Sequence, residues 1–110
     1  MKIDVVFMEP ASEFIYSLPE KAQKKVVYNI NRVRNGEMDK ELFKKLGDTD
    51  IWEFRTIFNG IKYRLLSFWD TENNALVIAT NGFVKKTQKT PVKEINRANA
   101  LRTEYFNHKD

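Results

Sequence analysis

The spacing of apolar residues changes once along this chain, close to residue 51. Between residues 22 and 33, apolar side chains recur every three or four positions, which predicts an amphipathic helix that ends at Asn35-Gly36. From residue 51 onward, apolar and polar side chains alternate, as is typical of β-strands with one buried face. The main helical segment is therefore expected in the first half of the chain and the sheet in the second.

Shorter elements are predicted around this frame. Residues 3–8 are rich in β-branched side chains and predict a strand, and residues 10–17 predict a short helix. Residues 40–46, K-E-L-F-K-K-L, predict one or two further helical turns closed by a glycine. Closer to the C-terminus, Thr90 followed by Pro91 is typical of a helix start, with Thr90 as the capping residue.

A tight turn fixes the register of the predicted sheet. Asn59-Gly60 separates two alternating runs and predicts a β-hairpin with a two-residue turn. Counting outward from this turn places Arg55 opposite Arg64 on one face of the hairpin, and Phe54 opposite Leu65 on the other. The apolar pair is expected to lie under helices, which leaves the arginine pair on the second face.

The order of elements predicts the fold class. Residues 75–85 predict a third strand of the meander, and a final helix follows over residues 91–105. The expected fold is α+β, a mainly antiparallel sheet of about four strands with helices packed on one face. The length of the chain, 110 residues, predicts one domain over residues 1–110.

The predicted arginine pair needs a compensating anion, because like charges directly opposite each other destabilise a strand pair. Glu53 lies diagonal to Arg64 on the same predicted face and is one candidate for this counter-charge. A phosphate is the other candidate, since the arginine fork matches phosphate oxygens. From the register alone, an ion-paired surface and a phosphate site remain alternatives for Arg55 and Arg64.

The positive charge of the chain is concentrated near its C-terminus. Residues 1–83 contain 12 Lys+Arg and 12 Asp+Glu, which leaves 7 Lys+Arg and 3 Asp+Glu for residues 84–110 and accounts for the whole formal charge of +4. The excess begins with Lys85, Lys86 and Lys89, at the end of a predicted strand. A basic region on an otherwise balanced protein favours a polyanionic partner such as nucleic acid.

Several classes of site are disfavoured by composition. The chain has no cysteine, and His108 is its only histidine, so a thiolate or histidine metal site is not expected. There is no glycine-rich phosphate loop, and the N-terminal apolar run is too short for a signal peptide or a membrane span. We therefore expect a cytoplasmic protein with no metal, no cofactor and no membrane partner.

The strings W-E-F-R (52–55), Y-R-L-L-S-F (63–68) and G-F-V-K-K-T-Q-K-T-P (82–91) resemble the HigB-like branch of the RelE/ParE toxin superfamily, which includes phage-derived members. The resemblance extends over about residues 14–105. It implies a toxin of a type II toxin–antitoxin system that cleaves messenger RNA on the ribosome and inhibits translation. A cognate antitoxin, often a helix-turn-helix protein, is the implied partner, and cleavage is implied to be independent of metal.

The resemblance also suggests roles for individual residues. Arg55, Arg64, Lys85 and Lys86 fall where the family keeps the basic residues of its active face. We expect both arginines to stabilise charge on the reacting phosphate, and the lysines to bind RNA or transfer protons. Glu53 is the one carboxylate positioned as a general base.

Two more residues of the lysine string are predicted to bind RNA. Lys89 adds a positive charge, and the ring of Phe83 is a candidate for stacking on a base. Some branches of the superfamily place a catalytic tyrosine or histidine near the C-terminus, but Tyr105 and His108 cannot be aligned with that group. Two alternative functions remain: inhibition of DNA gyrase without catalysis, as in the ParE branch, and nucleic-acid binding without toxicity.

Overall fold

The computed structural model describes residues 2–109, so Met1 and Asp110 of the predicted 1–110 domain lie outside it. Its elements, in chain order, are β1 (Asp4–Phe7), α1 (Glu9–Ser17), α2 (Glu20–Arg34), β2 (Phe43–Lys45), β3 (Trp52–Phe58), β4 (Ile61–Trp69), β5 (Leu76–Lys85) and α3 (Val92–Asn107). None of the helices in residues 2–109 is long and apolar enough to cross a membrane.

The strands form one mixed sheet in the order β1-β5-β4-β3-β2. β1 pairs with β5 in parallel, whereas the three remaining pairings are antiparallel. The predicted α+β class is therefore confirmed, with five strands where about four were expected. The parallel pairing places the first strand of the chain at an edge, beside the last one.

The predicted hairpin register is confirmed. Asn59 and Gly60 both have positive φ values, 51° and 74°, as a two-residue turn of this kind requires. β3 and β4 then pair Arg55 with Arg64 and Phe54 with Leu65. A short sequence signal, the Asn-Gly turn, thus sets which side chains share a face of the central sheet.

The prediction of helical turns over residues 40–46 is wrong, because this segment contains β2. Phe43 of β2 pairs with Phe54 of β3. The centroid of its ring lies 4.5 Å from that of Phe54 and 4.9 Å from that of Trp52. Lys44 and Lys45 remain exposed at the edge of the sheet. Burial of one aromatic ring and pairing with β3 therefore outweigh the local helical spacing.

The prediction that all helices pack on one face is also wrong. α1 and α2 cover the face that carries Phe54 and Leu65, whereas α3 packs on the opposite face against Leu66, Phe68 and Ile78. The physical reason lies in β4, where apolar residues face both sides of the sheet. A strand of this kind requires a cover on each side, and α3 is the only remaining helix among the described residues.

The C-terminal end of α3 is attached to the end of β4 through one buried carboxylate. Asp70, which is 1% exposed, accepts hydrogen bonds from the hydroxyl of Tyr105 at 2.6 Å and from Lys109 Nζ at 2.8 Å. Burial alone would raise the pKa of Asp70, but these bonds, together with those from Asn73 and the Glu72 amide, hold it well below its usual range. Asp70 therefore stays ionised in the folded protein.

The stability of the fold should fall in acid because of this carboxylate. A depressed folded-state pKa contributes stability above the unfolded-state pKa of about 3.9, and this contribution is lost as the pH falls further. We expect Asp70→Asn to lower the free energy of unfolding at pH 7 and to weaken its dependence on pH below about 4. Urea unfolding of both proteins from pH 7 to pH 2.5 measures this difference, and parallel pH profiles would contradict it.

Candidate active site

A buried carboxylate joins the two opposed arginines. Oε1 of Glu53 lies 3.3 Å from Nε of Arg64 and 3.4 Å from Nε of Arg55. Neither Nε–H group is aligned for a hydrogen bond, so these contacts are ion pairs. Burial lowers the pKa of Arg64, the charge of Glu53 opposes this change, and the charge of Arg55 adds to it. The protein itself thus supplies one anion for the arginine pair.

Thr90 connects this ion-paired group to the chain segment before α3. Its hydroxyl donates a 2.7 Å hydrogen bond to Oε2 of Glu53. The expected role of Thr90 as a helix cap is wrong, because Pro91 occupies the N-cap position and no side chain caps the helix there. The hydroxyl instead completes the surroundings of the Glu53 carboxylate, whose two oxygens are both engaged.

The two arginines differ in their access to solvent. Arg64 is 2% exposed and donates from Nη1 to the carbonyl oxygen of Tyr63, whereas the side chain of Arg55 is 27% exposed. Nη1 of Arg55 also donates to the carbonyl oxygen of Lys40. A ligand on this face therefore meets Arg55 directly, while Arg64 lies beneath it.

An open cleft of about 440 Å³ lies over this group, and we call it the arginine cleft. Glu53, Arg55, Lys85, Lys89 and Thr90 contribute to its lining, together with residues of the β2–β3 connection. The connection also contributes one acid, Asp48. Four of the residues predicted to act on RNA are thus brought to one cleft, although they come from two distant parts of the sequence.

A second cleft, of about 630 Å³, lies on the other side of Lys85, and we call it the lysine cleft. Lys62, Lys85 and Lys86 contribute to its lining. Burial lowers the pKa of Lys85, the charge of Glu53 opposes this effect, and the charges of Arg64, Arg55 and Lys62 reinforce it. A lysine with a lowered pKa is better suited to proton transfer near neutral pH than an ordinary surface lysine.

Phe83 lies on the predicted face but in the core. It pairs with Arg64 across β4 and β5, and it is 9% exposed within the apolar cluster beneath α3. Its ring is therefore packed in the interior, with little of its surface open to a base. Tyr105 is likewise engaged elsewhere, with Asp70, and His108 is exposed beyond the end of α3.

The position of Lys62 and the contact made by Thr90 are not predictable from local sequence patterns. Lys62 lies directly opposite Lys85, a pairing that the register between β4 and β5 determines. No tight turn between β4 and β5 fixes that register, and an irregularity between Leu65 and Ser67 shifts it by one residue along the strands.

Within residues 2–109, no group of three or more acidic or histidine side chains is placed to hold a metal ion.

Comparison with known proteins gives a family and a fold. The family model for phage-derived Gp49-like proteins matches residues 13–103. No curated protein sequence matches this chain significantly. A free, mutated form of the Escherichia coli toxin RelE has a TM-score of 0.63 at 16% identity, covering 93% of this chain and 98% of its own. The toxin–antitoxin complex RelBE2 of Mycobacterium tuberculosis has a TM-score of 0.55 at 21% identity, covering 77% and 100%. The fold is therefore RelE-like.

The coupling between Glu53 and its two arginines can be tested through the stability of the fold. Glu53→Gln should lower the free energy of unfolding by about 3–5 kcal/mol, because it leaves two arginine charges without their buried partner. Adding Arg64→Met should recover part of this loss, since the buried uncompensated charge is then removed. Urea unfolding of the single and double variants gives the coupling energy. Additive losses from the two substitutions would show that Glu53 and Arg64 are not coupled.

Proposed function

We propose that this chain, which belongs to the Gp49-like family of phage-derived proteins, is the toxin of a type II toxin–antitoxin system and cleaves messenger RNA on the ribosome. One observation carries the proposal: a buried carboxylate holds two arginines in register, beside the lysines of the 85–89 segment. Such an arrangement suits a phosphodiester whose negative charge increases during reaction. The RelE-like fold supports the same assignment.

The proposed reaction uses the RNA as its own nucleophile. The ribose 2′-oxygen attacks the adjacent phosphorus and gives its proton to solvent water, and the bond from phosphorus to the 5′-oxygen of the next nucleotide breaks. That oxygen takes up a proton, so the products carry a 2′,3′-cyclic phosphate and a 5′-hydroxyl. The protein has to position the phosphate, stabilise its charge and supply a proton to the leaving oxygen.

Arg55 is the residue we assign to the reacting phosphate, because its side chain is partly exposed in the arginine cleft. Arg64 adds positive charge from below and holds Glu53 in place. We assign Glu53 to positioning instead of general base catalysis. Both of its oxygens already have partners, Oε1 with the two arginines and Oε2 with Thr90.

Lys85 is our choice for proton transfer to the leaving oxygen. It lines both clefts, and burial together with neighbouring positive charge lowers its pKa. Lys86 and Lys89 line one cleft each and are assigned to RNA binding. Phe83 is assigned to the packing that supports this face, because its ring is buried against the apolar cluster under α3.

A cognate antitoxin is the second partner in this proposal, and we expect a helix-turn-helix protein. The structural neighbour RelBE2 is itself described as a toxin–antitoxin complex. A partner that covers the two clefts with acidic or apolar groups would prevent indiscriminate binding of RNA. Gyrase inhibition of the ParE type is the alternative function, but a cluster of cations around a cleft suits a polyanionic ligand better than a protein surface.

Expression of the free protein in bacteria should arrest growth and create new 5′ ends within the coding regions of messages. Primer extension on translated and untranslated copies of one message measures these ends and their dependence on the ribosome. Co-expression of a helix-turn-helix protein encoded next to this gene should relieve the arrest. Growth arrest with intact messages and inhibited DNA gyrase would favour the ParE-like alternative.

Arg55→Ala should separate function from folding. We expect cleavage to slow by about 10²–10³-fold, as for removal of one group that stabilises the transition state. The free energy of unfolding should change by only about 1 kcal/mol or less, because Glu53 retains Arg64 and Thr90. Arg64→Ala is the contrasting variant, since it also creates a buried cavity. If folded Arg55→Ala cleaves messages at the wild-type rate, Arg55 does not act on the reacting phosphate.

A further inference from the structure

The lysine cleft is built around an unfavourable pairing of like charges. Lys62 and Lys85 are direct neighbours across β4 and β5, and Lys86 follows at the end of the strand. Like charges in direct opposition destabilise a sheet. None of these three lysines takes part in an ion pair among the described residues. They differ in this respect from the arginines, whose counter-charge lies within the protein.

The lining of this cleft suits a nucleotide. Its volume, about 630 Å³, falls within the range of roughly 300–1,000 Å³ that is typical of ligand sites. Among residues 2–109, no acidic side chain lines it, and the cationic groups are joined by Ile61 and Val84, which are 43% and 38% exposed. Lysines bind phosphate as mobile point charges, and apolar side chains offer a surface to a base.

Lys85 links this cleft to the arginine cleft. Its side chain lines both, and so does Gln88 from the segment before α3. A strand of RNA that passes over Lys85 therefore meets Arg55 on one side and Lys62 on the other. Single-stranded RNA carries a phosphate at every nucleotide, so two adjacent phosphates of one strand could lie in the two neighbouring cationic clefts.

We propose that the lysine cleft binds the nucleotide next to the cleaved bond, with Lys62 and Lys86 on its phosphate and Ile61 and Val84 against its base. The bound polymer is single-stranded RNA that crosses from one cleft to the other over Lys85. This inference rests on the proposed function, since it takes the arginine cleft as the place where the bond breaks. It adds Lys62 as an RNA-binding residue outside the cleavage centre.

The test compares Lys62→Gln with Lys2→Gln, a matched loss of charge just before β1. Affinity for a single-stranded RNA oligonucleotide is measured at several salt concentrations. Loss of one phosphate contact should reduce the magnitude of the slope of log K against log salt by about 0.7, and only for Lys62→Gln. On ribosomes carrying a message, Lys62→Gln should raise KM several-fold. The change in kcat should be smaller, because the charge of Lys62 is only the least of the causes that lower the pKa of Lys85.

Thermal melting provides the folding control. Lys62→Gln should melt at the wild-type temperature or above it, because the substitution removes a repulsion with Lys85. Equal salt slopes and equal KM values for the two variants would overturn the inference. So would a Lys62→Gln variant that binds RNA normally but loses affinity for the antitoxin, because the cleft would then belong to that partner.

The same measurements distinguish failure of the inference from failure of the proposed function. If the wild-type protein cuts no message but its RNA affinity depends on Lys62, the proposed cleavage is wrong and the lysine cleft stands as an RNA-binding site. If the wild-type protein cuts messages and neither KM nor the salt slope depends on Lys62, the cleavage stands and the lysine cleft is wrong.

Discussion

The carboxylate of Glu53 is the interaction on which the candidate site depends. It is 2% exposed, and burial of a single charge without partners is strongly unfavourable. Here the cost is offset by two arginines from adjacent strands and by the hydroxyl of Thr90. The same carboxylate therefore joins β3, β4 and the segment before α3. Without it, the register that brings Arg55 opposite Arg64 would bring two uncompensated charges together.

The site contains two kinds of positive charge, and they have different physical roles. The arginine pair is partly neutralised inside the protein and is held in a fixed position, which favours preorganised stabilisation of a developing charge. The lysines around it form no ion pair with any other residue that the structure describes, and the lysine side chain is long and flexible. These properties favour attraction and binding of a polyanion. A rigid centre surrounded by unneutralised cations is the arrangement expected when a charged polymer has to be both gathered and positioned.

The features that sequence could predict are those set by local chemistry. The Asn59-Gly60 turn determines the register of β3 and β4, and from that register the opposition of Arg55 and Arg64 follows. Helices with a regular apolar spacing, such as α2, are predictable for the same reason. These inferences need no knowledge of how distant segments meet.

Features that depend on distant contacts were not predictable in this way. Phe43 lies in a strand because β3 is available to pair with it, although its own segment has helical spacing. Thr90 has the sequence of a helix cap, but a carboxylate 37 residues away accepts its hydrogen bond. The opposition of Lys62 and Lys85 depends on a strand pairing without a tight turn, so its charge pattern appears only in the folded structure.

In the reaction that we propose, this face holds a phosphodiester while the neighbouring ribose attacks it. The most direct measurement uses a message with a single 2′-deoxy nucleotide on the 5′ side of the mapped cleavage point, bound to ribosomes. We expect this bond to stay intact, and the unmodified message to give a 2′,3′-cyclic phosphate and a 5′-hydroxyl. Cleavage of the deoxy-substituted bond at the normal rate would contradict it.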